Sequence, residues 1–175
     1  VNVGANFTGT TVDADSNLIL TVGGNEVITN LTVEETFTNK VTGNSTITNG
    51  TVNGDMISNV DGDASVDSLT VAGKLETTVG GNFTVITKAD VTGDAIITVT
   101  KDIDAKEIEI GGTADIDGVN VEVEILTITG TSDIDATGSM TVTTATLTGE
   151  ADINVGEDFT GTTVDADSSL NLIVG

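Results

Sequence analysis

Aspartates recur at one spacing in the last third of the chain. Each of the isoleucines Ile116, Ile134 and Ile153 has an acidic or amide residue on both sides, and consecutive isoleucines are 18 or 19 residues apart. Carboxylates that lie close together repel one another, and Ca²⁺, which binds oxygen ligands, relieves that repulsion. The pattern predicts either a calcium-binding strip or a solvated acidic face, and calcium is the one cofactor it suggests. The strip consists of Asp115, Asp117, Asp133, Asp135 and Asp152.

The composition limits the chemistry that this chain can perform. It has no His, Cys, Trp, Tyr, Pro, Arg or Gln, so the commonest general base, the thiol nucleophile and the arginine clamp for phosphate are missing. The 28 acidic residues against five lysines give a net charge of −23, which repels nucleic-acid phosphates and anionic lipid headgroups. We therefore expect a protein that is not an enzyme, has no catalytic residues, binds no nucleic acid and does not insert into a membrane.

Five asparagines lie in Asn-X-Ser/Thr sequences, the acceptor pattern for N-glycosylation: Asn6, Asn30, Asn44, Asn49 and Asn82. Asn6, Asn44 and Asn82 coincide with a repeated corner position, where a glycan would disturb the stacking of inward-pointing amides. Asn30 and Asn49 are therefore the candidate glycosylation sites.

The whole chain consists of repeats of about 19 residues, and these repeats must position the candidate aspartates and asparagines. The segment Val3–Ser16 recurs almost unchanged at Val155–Ser168, eight repeats later. Phe7, Phe83 and Phe159 follow one another at equal intervals of four repeats. The coils are predicted to begin near Val3, Val22, Val41, Val60, Val79, Val99, Asp117, Ala136 and Val155.

Apolar residues form columns within this repeat. Apolar residues that lie two positions apart within a coil predict strands with one face inward. The recurrence of apolar residues one repeat later predicts coils stacked in register. The sequence therefore predicts an all-β fold, a parallel β-helix or β-solenoid of about nine coils with roughly three strands per coil. Residues 1–175 form one array, expected to be a piece of a longer repeat protein. One column holds Phe7, Ala64, Phe83, Ile103, Val121, Met140 and Phe159.

Glycines and small polar residues occupy the corners between strands. At one corner Gly24, Gly43, Gly62 and Gly81 predict a backbone with positive φ, which glycine adopts cheaply. The next residue is Asn, Asp or Ser in every coil, and small amides stacked on one another can hydrogen-bond along the axis. We therefore predict a structural ladder of Asn6, Asn25, Asn44, Asp63, Asn82, Asp102, Asn120 and Asp158, with Ser139 in the eighth coil.

Threonines raise a separate hypothesis, since flat rows of Thr-X-Thr on a solenoid can order water. Thr127 and Thr129 stack on Thr146 and Thr148. Glu34, Asn53, Asp90 and Glu109 interrupt the same columns, so ice or ligand binding is a distant alternative.

Three features resemble repeats of large secreted bacterial exoproteins of the filamentous-haemagglutinin type: the 19-residue period, the V-x-G-N start of coils such as Val22–Ile28 and Val79–Val85, and the L-T-V-x-G run at Leu69–Gly73. Phage tail-fibre repeats are similar. The resemblance implies a long secreted or surface-anchored rod used for adhesion or as a scaffold. The stretch 91–117 also resembles bactofilins, whose β-helical domains polymerise end to end.

These observations favour a structural protein. We expect an extracellular or cell-surface fibre, sheath or adhesin stalk that grows by end-to-end stacking of identical copies, with other cell-surface components as further candidate partners. A bactofilin-like intracellular cytoskeletal polymer is the alternative.

Overall fold

The computed structural model describes all of residues 1–175 and consists of strands joined by short corners. Each coil has one strand of eight residues, nine in one coil, and one of five. The shorter strands are β1 (Asn2–Val3), β3 (Leu18–Val22), β5 (Phe37–Val41), β7 (Met56–Val60), β9 (Leu75–Val79), β11 (Ala95–Val99), β13 (Ala114–Gly118), β15 (Ser132–Ala136), β17 (Ala151–Val155) and β19 (Leu170–Val174). The longer strands are β2 (Phe7–Ala14), β4 (Glu26–Val33), β6 (Ser45–Val52), β8 (Ala64–Val71), β10 (Phe83–Val91), β12 (Ile103–Ile110), β14 (Val121–Ile128), β16 (Met140–Leu147) and β18 (Phe159–Ala166).

Every strand pairs in parallel with its equivalents in the neighbouring coils. The shorter strands form a 10-stranded sheet and the longer strands a 9-stranded sheet, each in coil order. Side chains at equivalent positions therefore stack directly, as in the pairing of Ile28 with Ile47. The predicted all-β parallel solenoid, with about nine coils that each contain one repeat, is confirmed.

The longer strands bend near their middle. In β4 the inward residues are Glu26, Ile28, Leu31 and Val33, so two consecutive residues at the centre face outward and the alternation restarts. A coil thus has two strands rather than the expected three. Each coil nevertheless has three inward-facing segments, namely the two halves of the longer strand and the shorter strand. The apolar columns of the sequence reflect these three segments.

The interior is one apolar cluster of 43 buried residues, mostly Val, Ile, Leu and Ala. The side chains of two of its columns are complementary in size. The small Ser45 and Ala64 share their coils with the large Met56 and Leu75, respectively. The large Met140, by contrast, shares its coil with Ala151, which is fully buried. Pairing large with small side chains keeps the width of successive coils similar, so the sheets remain in register.

Two coils depart from the regular repeat length. Strand β10 has nine residues, and its pairing with β8 shifts register between Val85 and Lys88, so the extra residue forms a bulge. The corner after β13 is one residue short, and pairing of Gly118 with Ala136 places Gly118 at the start of the seventh coil. The coil expected to begin near Asp117 thus begins at Gly118.

The corner glycines do not have the expected positive φ, because no residue of the chain has one. Their requirement is steric. A Cβ on Gly62 would overlap Asn44 Oδ1 and lie 2.7 Å from the Gly43 carbonyl oxygen. Glycine is needed because the polypeptide of one corner lies directly against the corner of the preceding coil.

Backbone hydrogen bonds continue around the whole coil. Of 133 such bonds, 89 lie within the strands, and the other 44 join successive coils through at least one corner or terminal residue. The corners are therefore as regularly paired as the sheets. The structure contains no helix with the length and apolarity needed to cross a membrane.

Candidate functional site

The predicted corner ladder has its hydrogen bonds between side chains and backbone. Asn6 Oδ1 accepts from the Asn25 backbone N–H at 2.9 Å, and Asn25 Oδ1 accepts from the Asn44 N–H at 3.0 Å. The same bond continues through Asp63, Asn82, Asp102 and Asn120 to the N–H of Ser139. Only the oxygen is needed as an acceptor, which is why Asn and Asp alternate freely at this position.

A second ladder at the other corner was not predicted. Asn17 Oδ1 accepts from the Thr36 N–H at 3.0 Å, and Asp55 and Asp94 accept from the corner N–H of the next coil at 2.8 and 2.7 Å. All three precede a five-residue strand, just as Asn6 precedes an eight-residue strand. An Asn or Asp directly before the start of a strand, recurring from coil to coil, is the sequence signal that identifies both ladders.

The asparagines in glycosylation sequences fall into two structural groups, and all five are exposed. Asn44 uses Oδ1 in the corner ladder, and its Nδ2 makes no hydrogen bond. Asn30 and Asn49 lie at the bend of the longer strands, where Asn49 Nδ2 donates to Asn30 Oδ1 at 3.0 Å. Asn30 Nδ2 donates to the Thr10 carbonyl oxygen at 3.3 Å, so a glycan on Asn30 or Asn49 would be attached to a nitrogen that already donates a hydrogen bond.

The acidic strip lies on the outer face of the sheet that the five-residue strands form. Asp115, Asp133 and Asp152 are paired along one column, and Asp117 and Asp135 along the next. An asparagine amide follows each column, since Asn171 Nδ2 donates to Asp152 Oδ1 at 3.0 Å and Asn154 Nδ2 donates to Asp135 Oδ1 at 2.8 Å. No three acidic side chains converge in an arrangement that could hold a metal ion. Calcium binding by the strip stays a prediction.

The strip carries electrostatic strain. Burial raises the pKa of Asp117 above its ordinary value, and the charges of Asp115, Asp135 and Asp133 raise it further. Burial likewise raises the pKa of Asp133, with added repulsion from Asp135, Asp115 and Asp152. Stacked aspartates thus oppose each other's ionisation across the coils.

Lys88 offsets acidic charge on the other sheet. Its Nζ lies 3.0 Å from Glu107 Oε1, 3.7 Å from Asp90 Oδ2 and in contact with Glu109. The hydrogen bonds that Lys88 donates to Glu109 and Glu107 raise the pKa of Lys88. The bulge in β10 places this lysine where it reaches the acidic residues of the next coil.

The threonine rows do not form one flat face at the predicted positions. Thr127 and Thr146 lie on β14 and β16, but Thr129 and Thr148 lie in the corners that follow these strands. Each Thr-X-Thr pair therefore extends across the end of a strand.

A shallow groove of about 540 Å³ crosses the outer face of β10, β12, β14 and β16. Asp104, Glu122 and Glu124 line it together with Lys106, and all four are exposed. Such a surface attracts small cations through its excess of carboxylates.

One polar cluster inside the solenoid was missed. Glu26 is only 1% exposed, and its Oε2 accepts from Asn39 Nδ2 at 2.7 Å and from Ser45 Oγ at 2.6 Å. Glu26 and Ser45 occupy the column that holds Phe7, Ala64 and Phe83 in nearby coils. The signal in the sequence was the gap in that apolar column at the second and third coils.

A small cavity of about 20 Å³ lies beside this cluster. The hydroxyl-bearing residues Ser45, Ser58 and Thr77 line it together with Ala64 and Phe83. Its volume suits about one water molecule, and three hydroxyl groups are enough polar partners for one. The second to fourth coils are therefore more polar inside than the rest of the array.

The inward side chains of the end coils are only partly covered. Leu172 is 39% exposed, whereas Ile153, its equivalent one coil earlier, is 2% exposed. Phe7 and Phe159 are also partly buried, whereas Phe83 is buried. Each end therefore presents an apolar edge together with unpaired strand backbone.

Comparison with known proteins returns no family model, no curated protein and no solved structure that matches this chain. The resemblances to filamentous-haemagglutinin-type exoproteins, phage tail-fibre repeats and bactofilins therefore stay predictions from the sequence. The fold itself, a regular β-solenoid, is compatible with a structural repeat protein.

Proposed function

We propose that this chain is a structural segment of an extracellular fibre, sheath or adhesin stalk, and that the array extends by end-to-end stacking of coils. The observation that carries the proposal is the match between the first and last coils. The segment Val3–Ser16 recurs in Val155–Ser168 with only two replacements, Ala5 by Glu157 and Asn6 by Asp158. A coil laid on the ninth coil would meet nearly the same side chains that the second coil meets on the first.

The end of the ninth coil has the groups that such a contact needs. Leu170 and Leu172 are each 39% exposed and would become core residues under another coil. The Asp158 side chain stands at the ladder position, where its oxygen can accept the corner N–H of the next coil. The added coil is proposed to come from a second copy of this chain or from further repeats of the same array.

The acidic surface favours contact at the ends over contact along the sides. The chain carries a net charge of −23, so parallel rods repel one another along their length. Calcium has one role in this proposal, which is to link the acidic strips of neighbouring rods laterally. Lateral bundling should then require calcium, whereas end-to-end growth should not.

Electron microscopy and sedimentation of the purified protein over a range of concentrations, with and without millimolar calcium, test the proposal. We expect filaments whose axial repeat is a whole number of coils of about 4.8 Å each. Leu172→Asp should abolish them, because it places a charge in the apolar end face. Ile173→Asp adds the same charge to the same strand, but on the outer face, and is the matched control.

Short rods at every concentration would refute end-to-end assembly by this segment, as would equal effects of the two substitutions. Intracellular filaments with no protein at the cell surface, seen by fractionation of the source cells, would favour the bactofilin-like alternative. Bundles that form only with calcium, and that are lost in Asp133→Asn, would support the lateral role of the strip.

A further inference from the structure

We propose that Glu26 is held as a neutral carboxylic acid inside the solenoid and that its ionisation is a pH-sensitive release of the coils around it. This inference concerns the interior of the second and third coils and does not depend on end-to-end assembly. It starts from the position of Glu26, which is the only charged type of residue among the buried side chains.

The hydrogen bonds around Glu26 are incomplete for a carboxylate. Asn39 Nδ2 and Ser45 Oγ both donate to Oε2, and Oε1 has no partner. Asn39 Oδ1, on a side chain that already contacts the carboxyl, also has no partner. Two buried acceptors without a donor are costly, and a bare carboxylate oxygen is the costlier of the two.

A proton removes this mismatch. Protonation of Oε1 converts this unpaired acceptor into a donor, and its candidate acceptor is the unpaired Oδ1 of Asn39, whose Nδ2 keeps its bond to Oε2. Neither unpaired oxygen is in contact with solvent, and the nearby cavity is lined by Ser45 but not by Glu26 or Asn39. A hydrogen on the carboxyl itself is therefore the donor that fits.

No cation replaces the proton. The strands packed against Glu26 are β2, β5 and β6, and the residues that face it from them are Phe7, Asn39 and Ser45. The charged residues of these strands, Asp13 on β2 and Lys40 on β5, are exposed on the outer face. In agreement, burial raises the pKa of the Glu26 carboxyl above its ordinary value of 4.5, and the hydrogen bonds from Ser45 and Asn39 only partly oppose the rise.

The pH dependence follows from this difference between folded and unfolded states. The unfolded chain loses the Glu26 proton near pH 4.5, and the folded chain keeps it to a higher pH. Stability from this group is therefore complete at low pH and declines as the pH rises from 4.5 through the folded pKa. The ratio of folded to unfolded coils should fall about tenfold for each unit that separates the two pKa values.

The direct test is an NMR titration of the Glu26 side-chain carboxyl carbon, assigned by its loss in Glu26→Gln. We expect this signal to change at a higher pH than is ordinary for a glutamate, whose pKa is about 4.3. Titration of Glu26 together with the exposed glutamates would overturn the proposal. The titration itself is made on the native side chain, and the variant serves only to assign the signal.

The functional consequence is tested by hydrogen exchange of the amides in β4 and β6 between about pH 5 and about pH 8, corrected for intrinsic exchange. Protection should fall with rising pH in the native protein and stay level in Glu26→Gln, whose amide is neutral and of the same shape. Glu35→Gln removes one charge from a nearby exposed position and should behave as the native protein does. Equal pH dependence in native protein and Glu26→Gln would overturn the release.

Discussion

Replacement of Gly62 by alanine should destabilise the solenoid through a direct overlap between corners. An ideal Cβ at this position would overlap Asn44 Oδ1 and lie 2.7 Å from the carbonyl oxygen of Gly43 and 2.9 Å from its carbonyl carbon. The side-chain oxygen can rotate away, but only by giving up its ladder bond to the Asp63 N–H. The carbonyl cannot move without separating the two coils, so the backbone must carry most of the strain.

Two opposing contributions determine the change in the free energy of unfolding. Forcing a methyl group into packed space costs about 1–3 kcal/mol, and the smaller entropy of the unfolded alanine chain returns about 0.4–1 kcal/mol. The net loss should be about 1–2 kcal/mol, or about 2–8 °C in the melting temperature of a chain of this length. Gly4→Ala is the control, because a Cβ at Gly4 would meet nothing within 4 Å.

Thermal unfolding followed by circular dichroism measures both variants against the native protein. We expect Gly62→Ala to melt earlier and Gly4→Ala to melt within about 1 °C of the native chain or slightly above it. Adding Asn44→Ala to Gly62→Ala should recover only part of the loss, since the Gly43 carbonyl remains. Equal destabilisation by the two glycine substitutions, or none at Gly62, would refute the steric explanation of the corners.

Three further predictions test other parts of the structure. Asn44→Ala should cost about 1 kcal/mol of unfolding free energy and Asn44→Asp much less, because the ladder uses only the side-chain oxygen; equal losses would contradict that. Asp133→Asn should stabilise the chain by about 0.5 kcal/mol at neutral pH. This gain should vanish as the pH falls through the raised pKa of Asp133 towards 3.8, because the native side chain then becomes neutral too. Ala64→Val should cost about 1–3 kcal/mol in urea unfolding, because its added methyl groups would displace a water from the polar cavity beside Ser45 and leave the hydroxyl groups of Ser58 and Thr77 without a partner; a gain in stability would contradict a hydrated cavity.

The sequence was sufficient to predict the solenoid because the repeat is visible in side chains that stack directly. The columns through Phe83 and Ile134 have the spacing that the strand pairing then shows. The number of strands per coil was less accessible, because a bend within β4 looks the same in the pattern of apolar residues as a corner between two strands. Corner glycines were recognised for the wrong reason, since a sequence shows where a side chain is missing but not which neighbouring atoms exclude it.

The sequence predicted some candidate sites and not others, because a site is visible in the sequence only where its residues recur from coil to coil. The Asp115 strip and the Asn25 ladder recur in several coils and so stood out. Glu26 occurs once, and its significance depends on Asn39, which is 13 residues away on the facing sheet. A contact across the interior has no fixed spacing in the sequence, so only the three-dimensional structure could bring these two residues together.

Stability in a solenoid is close to a sum over neighbouring coils, so local weaknesses decide where the array opens. Two such weaknesses are present, the buried carboxyl of Glu26 in the second coil and the stacked aspartates around Asp133 in the sixth to eighth coils. Both raise a carboxyl pKa, so both make the folded chain less stable as the pH rises. Salt distinguishes the two, because about 1 M salt reduces the screening length to about 3 Å and weakens the repulsion between the aspartates, but it does not act on the interior carboxyl. A pH dependence that survives high salt in the native protein and is lost in Glu26→Gln would therefore come from the interior carboxyl, and one that salt removes would come from the acidic face.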